Sequence, residues 1–198
     1  MPLEIDTPEG LARAHLFVPA DGVTRALVLG HGAGGGVTAP DLQATAKACL
    51  ERGIAVALVE QPYRVAGRKS PPRAPKLDTA WTAVLATLRA DTFGDVPIAT
   101  GGRSSGARVA CRTATQVGAT AVVCLAFPLV APSGVSRQDE LDGAGVPVLV
   151  VQGVNDRFGM PQPSPTREVV QVDGDHALRK GVRRIGETVA DWLLSARS

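Results

Sequence analysis

The chain contains five short apolar runs that are continuous rather than alternating with polar residues. They are Ala26 to Leu29, Ile54 to Val59, Ile98 to Thr100, Ala121 to Ala126 and Val146 to Val151. Strands that are covered on both faces have this composition, because neither face meets water. The runs therefore predict a mostly parallel sheet with helices packed on each side.

Segments with apolar residues three and four positions apart lie between and after these runs and predict helices. They extend from Leu42 to Leu50, from Leu77 to Leu88, from Ala107 to Ala114 and from Val182 to Leu193. Asp41 stands where it could cap the first of these helices, and Ala14 to Val18 is predicted to be an antiparallel edge strand. The alternation of strands and helices predicts an α/β fold, with a doubly wound, mostly parallel sheet and right-handed crossovers.

The composition and charge of the chain limit its class and its partners. Its 198 residues match the size of one domain, so we expect a single domain over residues 1–198. Hydrophobic residues make up 44% and charged residues 20%, which excludes a disordered or fibrous chain. The 21 basic and 19 acidic side chains leave a net charge of +2 with no block of like charge, so we expect neither a nucleic-acid nor a membrane partner.

No targeting or membrane segment is readable, and we expect a cytoplasmic protein. The longest near-apolar stretch, Ala121 to Ala131, is interrupted by Pro128 and is shorter than the ~20 residues of a transmembrane helix. The acidic amino terminus does not resemble a secretory signal. Cys49, Cys111 and Cys124 form no CxxC pair, so we expect buried thiols rather than a metal site or disulfides.

The segment QPYRVAGRKSPPRAPK, residues 61–76, has four prolines, five basic residues and no acid. We predict that it crosses the carboxyl edge of the sheet and that its charge serves solubility rather than recognition of an acidic substrate.

A G-x-S-x-G motif follows the run that ends at Thr100. Gly102, Ser104 and Gly106 fill it, and a helical pattern begins directly afterwards. In this context a serine stands on a sharp strand-to-helix turn, at a helix amino terminus that favours developing negative charge. The motif therefore makes Ser104 a candidate nucleophile, the alternative being an ordinary glycine-rich turn with a capping serine.

A serine nucleophile needs a base, and the chain has three histidines. His15 lies in the predicted edge strand and is expected at the surface, whereas His31 and His176 both follow strands at the carboxyl edge. Asp156, in the loop after the strand that ends near Gln152, is the best candidate for a carboxylate that orients the imidazole. The chain order Ser104, Asp156, His176 matches the order of these roles in α/β-hydrolases.

The carboxylates nearest in sequence to His176 are Asp173 and Asp175. Both are too close along the chain for an easy approach to its ring. Asp175 is expected to shape the turn that carries His176.

The glycine-rich loop HGAGGG, residues 31–36, follows the first central strand. This is where an α/β-hydrolase supplies half of its oxyanion hole, and the residue after the nucleophile supplies the other half. We therefore predict that the backbone N–H groups of Ala33 and Ser105 bind the oxyanion. His31 is expected to fix the loop through hydrogen bonds of its ring rather than to act as the base.

The same loop allows a second interpretation. Gly30, Gly32 and Gly35 fill a G-x-G-x-x-G pattern after a strand, and Glu60 ends the next strand, where an acid would bind a ribose. A dinucleotide-binding motif opens its helix within the pattern, however, whereas here the helix is delayed until Asp41. The absence of a lysine after the glycines also disfavours a phosphate-binding P-loop.

Several motifs together resemble the small, capless α/β-hydrolases related to dienelactone hydrolase. They are HGAGGG at 31–36, GGRSSGAR at 101–108, FPL at 127–129, VPVLVVQGVNDRFG at 146–159 and GDHAL at 174–178. The resemblance implies that Ser104 is the nucleophile, Asp156 the acid and His176 the base. The chain departs from it at Ser105-Gly106-Ala107, where relatives often have a bulkier residue and a second glycine.

The resemblance implies a serine hydrolase that cleaves a small carboxylic ester or thioester through an acyl-enzyme, with no metal or organic cofactor. No insertion is long enough for a large lid, so we expect an open pocket near Tyr63, Phe127 and Phe158. Some relatives serve as binding subunits, and a non-catalytic interaction domain with the same fold is the alternative.

Overall fold

The computed structural model describes residues 1–195. Its strands are β1 (Leu3–Thr7), β2 (Gly10–Phe17), β3 (Ala26–Gly30), β4 (Ala55–Glu60), β5 (Ile98–Arg103), β6 (Val122–Leu125), β7 (Val148–Gly153) and β8 (Arg167–Val172). Its helices are α1 (Pro40–Glu51), α2 (Pro62–Val65), α3 (Ala74–Leu88), α4 (Ser105–Thr113), α5 (Gln138–Asp142) and α6 (Val182–Ser195), and a π-helical turn, Arg89–Phe93, extends α3.

The strands form one sheet in the order β1-β2-β4-β3-β5-β6-β7-β8. From β4 to β8 in this order, every neighbouring pair is parallel. Strand β2 pairs antiparallel with both β1 and β4. Gly30 at the end of β3 lies opposite Gly102 in β5. The predicted doubly wound, mostly parallel sheet is thus confirmed, and the carboxyl ends of six strands share one edge.

The core consists of two layers, one on each face of the sheet. Helices α1 and α6 cover one face, and α3, α4 and α5 cover the other. In β6, Val123 and Leu125 pack under the first layer, whereas Val122 and Cys124 pack under the second. Burial on both faces explains why these strands are continuously apolar.

Two local predictions are wrong. The predicted edge strand is the carboxyl-terminal part of β2, which lies between β1 and β4, so β1 is the edge. Asp41 does not cap α1, because the helix begins at Pro40 with Ala39 as its N-cap. Proline is favoured at the first helical position, which places Asp41 inside the first turn, where its side chain is fully buried.

The cysteines are free and buried. The Sγ atoms of Cys111 and Cys124 lie 3.5 Å apart. Burial raises the pKa of Cys49 to about 12, so the Cys49 thiol stays protonated at neutral pH.

Within residues 1–195, no helix is long and apolar enough to cross a membrane. The same residues contain no group of three or more His, Cys, Asp or Glu side chains that could hold a metal ion.

Candidate active site

Four loops meet at the carboxyl edge of the sheet because the strands before them are parallel. The glycine loop 31–36 follows β3, Ser104 follows β5, Asp156 lies after β7 and His176 lies after β8. The structure therefore brings together Ser104, Asp156 and His176, which are far apart in sequence.

Ser104 stands on a sharp turn between β5 and α4. Its backbone φ of 52° and ψ of −105° belong to a region that non-glycine residues rarely adopt. A Cβ atom at either Gly102 or Gly106 would lie 2.5 Å from the carbonyl oxygen of Gly30. The two glycines of the motif are thus required by the close approach of this turn to the end of β3.

The three polar side chains form a continuous hydrogen-bonded chain. The Nε2 atom of His176 lies 3.0 Å from the Ser104 Oγ, and its Nδ1 atom lies 2.8 Å from the Asp156 Oδ2. A carboxylate can only accept, so Nδ1 carries a proton and donates to Asp156, which leaves Nε2 free to accept from the serine hydroxyl. This is the arrangement that general-base activation of a serine needs.

Asp156 is held in place by further donors. Its side chain is fully buried; Oδ2 accepts from Gln152 Nε2 at 2.9 Å, and Oδ1 accepts from the backbone N–H of Phe158 at 2.9 Å. The Phe158 ring also packs edge-on against the His176 imidazole, with the ring centroids 4.6 Å apart. These contacts fix the orientation of both the carboxylate and the imidazole.

The neighbouring acids of His176 have other partners. Asp173 pairs with Lys180 at 3.1 Å, and Asp175 Oδ1 accepts from the backbone N–H of Ala177 at 2.9 Å. Neither carboxylate is bonded to the imidazole, in line with the expectation that Asp175 shapes the turn.

His31 is buried behind the glycine loop and not beside Ser104. Its Nε2 atom accepts from the backbone N–H of Gln61 at 3.1 Å, so its Nδ1 atom carries the proton and donates to the Gly32 carbonyl at 2.9 Å. Burial lowers the pKa of His31, which keeps the ring neutral at physiological pH. The structure thus places His31 as an internal brace of the loop.

Tyr63 supports the same loop from outside the cleft. Its hydroxyl donates to the carbonyl oxygen of Ala33 at 2.8 Å, and burial raises the pKa of Tyr63 to about 12. The phenol therefore keeps the proton that it donates.

His15 pairs with Glu60 at 3.2 Å, so the acid that the dinucleotide interpretation needed already has a partner.

A cleft of about 640 Å³ lies over Ser104 and His176. Ala33 and Ser105 both line it, and the N–H of Ser105, as the first residue of α4, has no partner within the helix. Of the three aromatic residues expected at the pocket, only Phe158 lines this cleft. The ring of Phe127 is fully buried in the core, and Tyr63 lines a separate cavity.

Four arginines line the cleft, and the sequence reasoning missed all of them. They are Arg103, Arg108, Arg137 and Arg157. Arg108 donates from Nε and Nη2 to the two carboxylate oxygens of Glu140, at 2.7 and 2.6 Å. Arg103 and Arg108 stand in the motif around Ser104, and Arg157 follows Asp156 directly, so their places in the sequence could have indicated them. The position of Arg137 depends on how distant loops meet.

A doubly wound sheet with a serine at a strand-to-helix elbow defines the α/β-hydrolase class of fold. The family model described as an alpha/beta hydrolase domain matches residues 23–197, and the chain belongs to this family. A search of curated protein sequences found no match.

Solved structures of low sequence identity share the fold over nearly the whole chain. A serine hydrolase without a lid from Xanthomonas campestris is 20% identical with a TM-score of 0.82, covering 98% of this chain and 94% of its own. The dienelactone hydrolase of Anabaena variabilis is 17% identical with a TM-score of 0.81, covering 100% and 98%. A cold-adapted esterase from an Arctic intertidal metagenomic library is 17% identical with a TM-score of 0.76, covering 100% and 93%. The resemblance to capless hydrolases is therefore confirmed.

Proposed function

We propose that the protein is a serine hydrolase that cleaves a small carboxylic ester or thioester through an acyl-enzyme. The observation that carries the proposal is the hydrogen-bonded chain from Ser104 through His176 to the buried Asp156. The fold is shared with solved structures that are described as a serine hydrolase and an esterase, which supports the proposal as well. The expected cytoplasmic location stays a prediction.

The geometry supports a two-step reaction. His176 Nε2 takes the proton of the Ser104 hydroxyl as Oγ attacks the carbonyl carbon, and the N–H groups of Ala33 and Ser105 stabilise the oxyanion. His176 then gives the proton to the departing alcohol or thiol, which leaves an acyl group on Oγ. In the second step water gives its proton to His176 as it attacks the acyl carbon, His176 then returns the proton to Ser104 Oγ as the acyl–Oγ bond breaks, and the carboxylic acid leaves with the serine regenerated. The reaction requires no metal or organic cofactor.

A non-catalytic interaction domain is the alternative, and the backbone at Ser104 disfavours it. A positive φ at a non-glycine residue costs on the order of 1–3 kcal/mol, and a buried carboxylate must be desolvated. A protein that only binds partners through its surface gains nothing from either cost.

The proposal is tested with a fluorophosphonate probe and with p-nitrophenyl acetate. We expect the probe to label the protein and the ester to give a burst of p-nitrophenol before steady turnover, since an acyl-enzyme accumulates. Matched oxygen esters and thioesters then decide which acyl bond is preferred. A folded protein that neither reacts with the probe nor cleaves any of these esters would favour the interaction domain.

Replacement of Ala33 by proline is expected to lower kcat by about 10²–10³-fold, because it removes one backbone donor to the oxyanion. The matched control is Ala33→Gly, which keeps the N–H and should stay much closer to the wild-type rate. Both variants are measured with p-nitrophenyl acetate, and thermal unfolding verifies the fold. A proline variant with undiminished kcat would mean that another donor binds the oxyanion.

The positive charge of the cleft predicts faster reaction of anionic esters. Asp41 pairs with Arg103 and Glu140 pairs with Arg108, so the excess positive charge comes from Arg137 and Arg157, and no described residue that lines the cleft is acidic. At low ionic strength we expect kcat/KM for 4-acetoxybenzoate to exceed that for neutral 4-acetoxybenzamide by about 5–10-fold, a difference that salt removes.

Two variants locate the origin of this charge preference. Arg137→Gln should reduce the preference, whereas Lys47→Gln, which removes an exposed charge beside another surface depression on α1, should not. Equal kcat/KM for the two esters at low salt would contradict the prediction.

A further inference from the structure

Arg103 is the last residue of β5 and directly precedes Ser104, and its side chain reaches helix α1 and two of the loops around the cleft. Its Nε atom lies 3.0 Å from Oδ2 of Asp41, and its Nη2 atom donates to the backbone carbonyl oxygen of His176 at 2.9 Å. Its Nη1 atom packs against Gly32, where a Cβ atom would lie only 3.1 Å away. One guanidinium thus joins α1, the glycine loop and the loop of His176.

We infer that Arg103, anchored by Asp41, is a positioning residue that sets the distance between His176 and Ser104. The catalytic part of this inference rests on the proposed function. His176 is held towards β7 by its bond to Asp156 and by the bond from the Asn155 N–H to the Gly174 carbonyl at 2.9 Å. Arg103 holds the main chain of His176 itself, on the Ser104 side.

The need for such a brace follows from the geometry of proton transfer. The 3.0 Å separation of His176 Nε2 and Ser104 Oγ depends on where the main chain of residue 176 lies. A displacement of about 1 Å in a catalytic arrangement can cost about 10²-fold in rate. A hydrogen bond to the His176 carbonyl therefore acts on the reaction although Arg103 itself need not touch the reacting atoms.

The chemistry of the side chain explains why arginine stands at this position. A guanidinium holds its five N–H donors in a rigid plane, so one side chain can pair with Asp41 and donate to His176 at the same time, whereas a lysine ammonium is a single compact charge. Asp41 is fully buried, and its Oδ1 accepts from the Leu42 N–H at 3.0 Å. Burial raises the pKa of Asp41 and the charge of Arg103 opposes that rise, so the ion pair couples the position of the guanidinium to that of the carboxylate.

The chain offers a matched control pair. Arg112 binds Asp78 through two nitrogens at 2.9 and 2.6 Å, and the side chains of Arg112 and Arg103 are each 18% exposed. Arg112 lies on α4 outside the residues that line the cleft. Arg112 also lies 3.3 Å from Glu140, the partner of Arg108, so Asp78→Asn, which removes only the Arg112–Asp78 pair, is added to report what loss of a half-buried ion pair does to the fold alone.

The experiment compares Arg103→Lys, Arg103→Gln and Asp41→Asn with Arg112→Lys, Arg112→Gln and Asp78→Asn. For each variant kcat and KM for p-nitrophenyl acetate, the rate of fluorophosphonate labelling and the temperature of unfolding are measured. We expect the Arg103 variants to lose about 10–100-fold in kcat and in labelling rate with little change in KM. The Arg112 variants should unfold at lower temperature but keep kcat within about twofold.

Two outcomes would overturn the inference: folded Arg103→Lys and Asp41→Asn proteins with kcat within about twofold of wild type, or equal kcat losses in the Arg103 and Arg112 series. If Arg103→Gln fails to fold, the Arg103→Lys and Asp41→Asn variants still show whether Arg103 positions His176.

A readout that does not need turnover separates this inference from the proposed function. The proton on His176 Nδ1 gives a hydrogen-bonded NMR signal, which should shift or broaden in the Arg103 variants and stay in place in the Arg112 variants. Inactivity of the wild-type protein would defeat the proposed function, while an unchanged NMR signal would defeat the positioning role.

Discussion

Ser104→Ala is expected to abolish fluorophosphonate labelling and to lower kcat for p-nitrophenyl acetate by about 10⁶-fold, the scale of loss seen when a serine protease loses its nucleophile. The hydroxyl is the one group in the cleft that lies 3.0 Å from His176 Nε2. Alanine removes it and leaves the backbone turn in place, so the unfolding temperature should change little. Mass spectrometry of the labelled wild-type protein should locate the probe on residue 104.

Ser105→Ala is the matched control for this experiment. Ser105 is adjacent in sequence and lines the same cleft, but its proposed contribution is its backbone N–H, which alanine keeps. Labelling and turnover should therefore persist. A protein that loses labelling through Ser105→Ala and keeps it through Ser104→Ala would reverse the assignment of the nucleophile.

The sheet could be predicted because its central strands are buried on both faces. The apolar runs around Val28, Ala57 and Val150 have no exposed face, and the structure buries each of these residues completely. Parallel strands end at one edge, so the residues after β5, β7 and β8 could be expected to converge. That argument made Ser104, Asp156 and His176 candidates, and the structure brings the three together.

The outermost strand β1 and the short helices could not be predicted in this way. In β1 only Ile5 is buried, so the strand carries little of the apolar signal that reveals a central strand. Helices α2 and α5, of four and five residues, are too short to show a helical period. Their positions follow from packing against elements that are distant in sequence.

Asp41 shows where local reasoning gives the wrong answer. An aspartate before an apolar helical face is typical of a helix cap, but Pro40 takes the first helical position, and the carboxylate turns inward to Arg103. The two residues are 62 positions apart in sequence. A pairing over this distance depends on the packing of α1 beside the end of β5, which no local pattern specifies.

Asp156→Asn is expected to lower kcat by about 10⁴-fold, the loss that the corresponding change causes in a serine protease. An asparagine amide in place of the carboxylate can present an N–H to His176 Nδ1, which favours the tautomer whose Nε2 carries the proton. That nitrogen then cannot accept from Ser104. The neutral side chain also no longer stabilises the imidazolium.

Asp175→Asn is the control. Asp175 lies in the same turn as His176 but accepts from the Ala177 N–H, so this variant should keep most of the activity.

The pH dependence of kcat/KM separates His176 from His31 as the base. His176 must be neutral to accept the serine proton, so activity should fall as pH decreases and the imidazole becomes charged, and His176→Ala should lose activity at least as severely as Asp156→Asn. Burial lowers the pKa of His31, so this ring becomes charged only at a lower pH than an ordinary histidine. His31→Ala should lower the rate by loosening the glycine loop, while the fall in activity at acidic pH remains.

Measurements from about pH 5 to 9 cover the range in which histidine changes charge. A His176→Ala protein with near-wild-type activity, or loss of the fall in activity at acidic pH in His31→Ala, would give the base to His31.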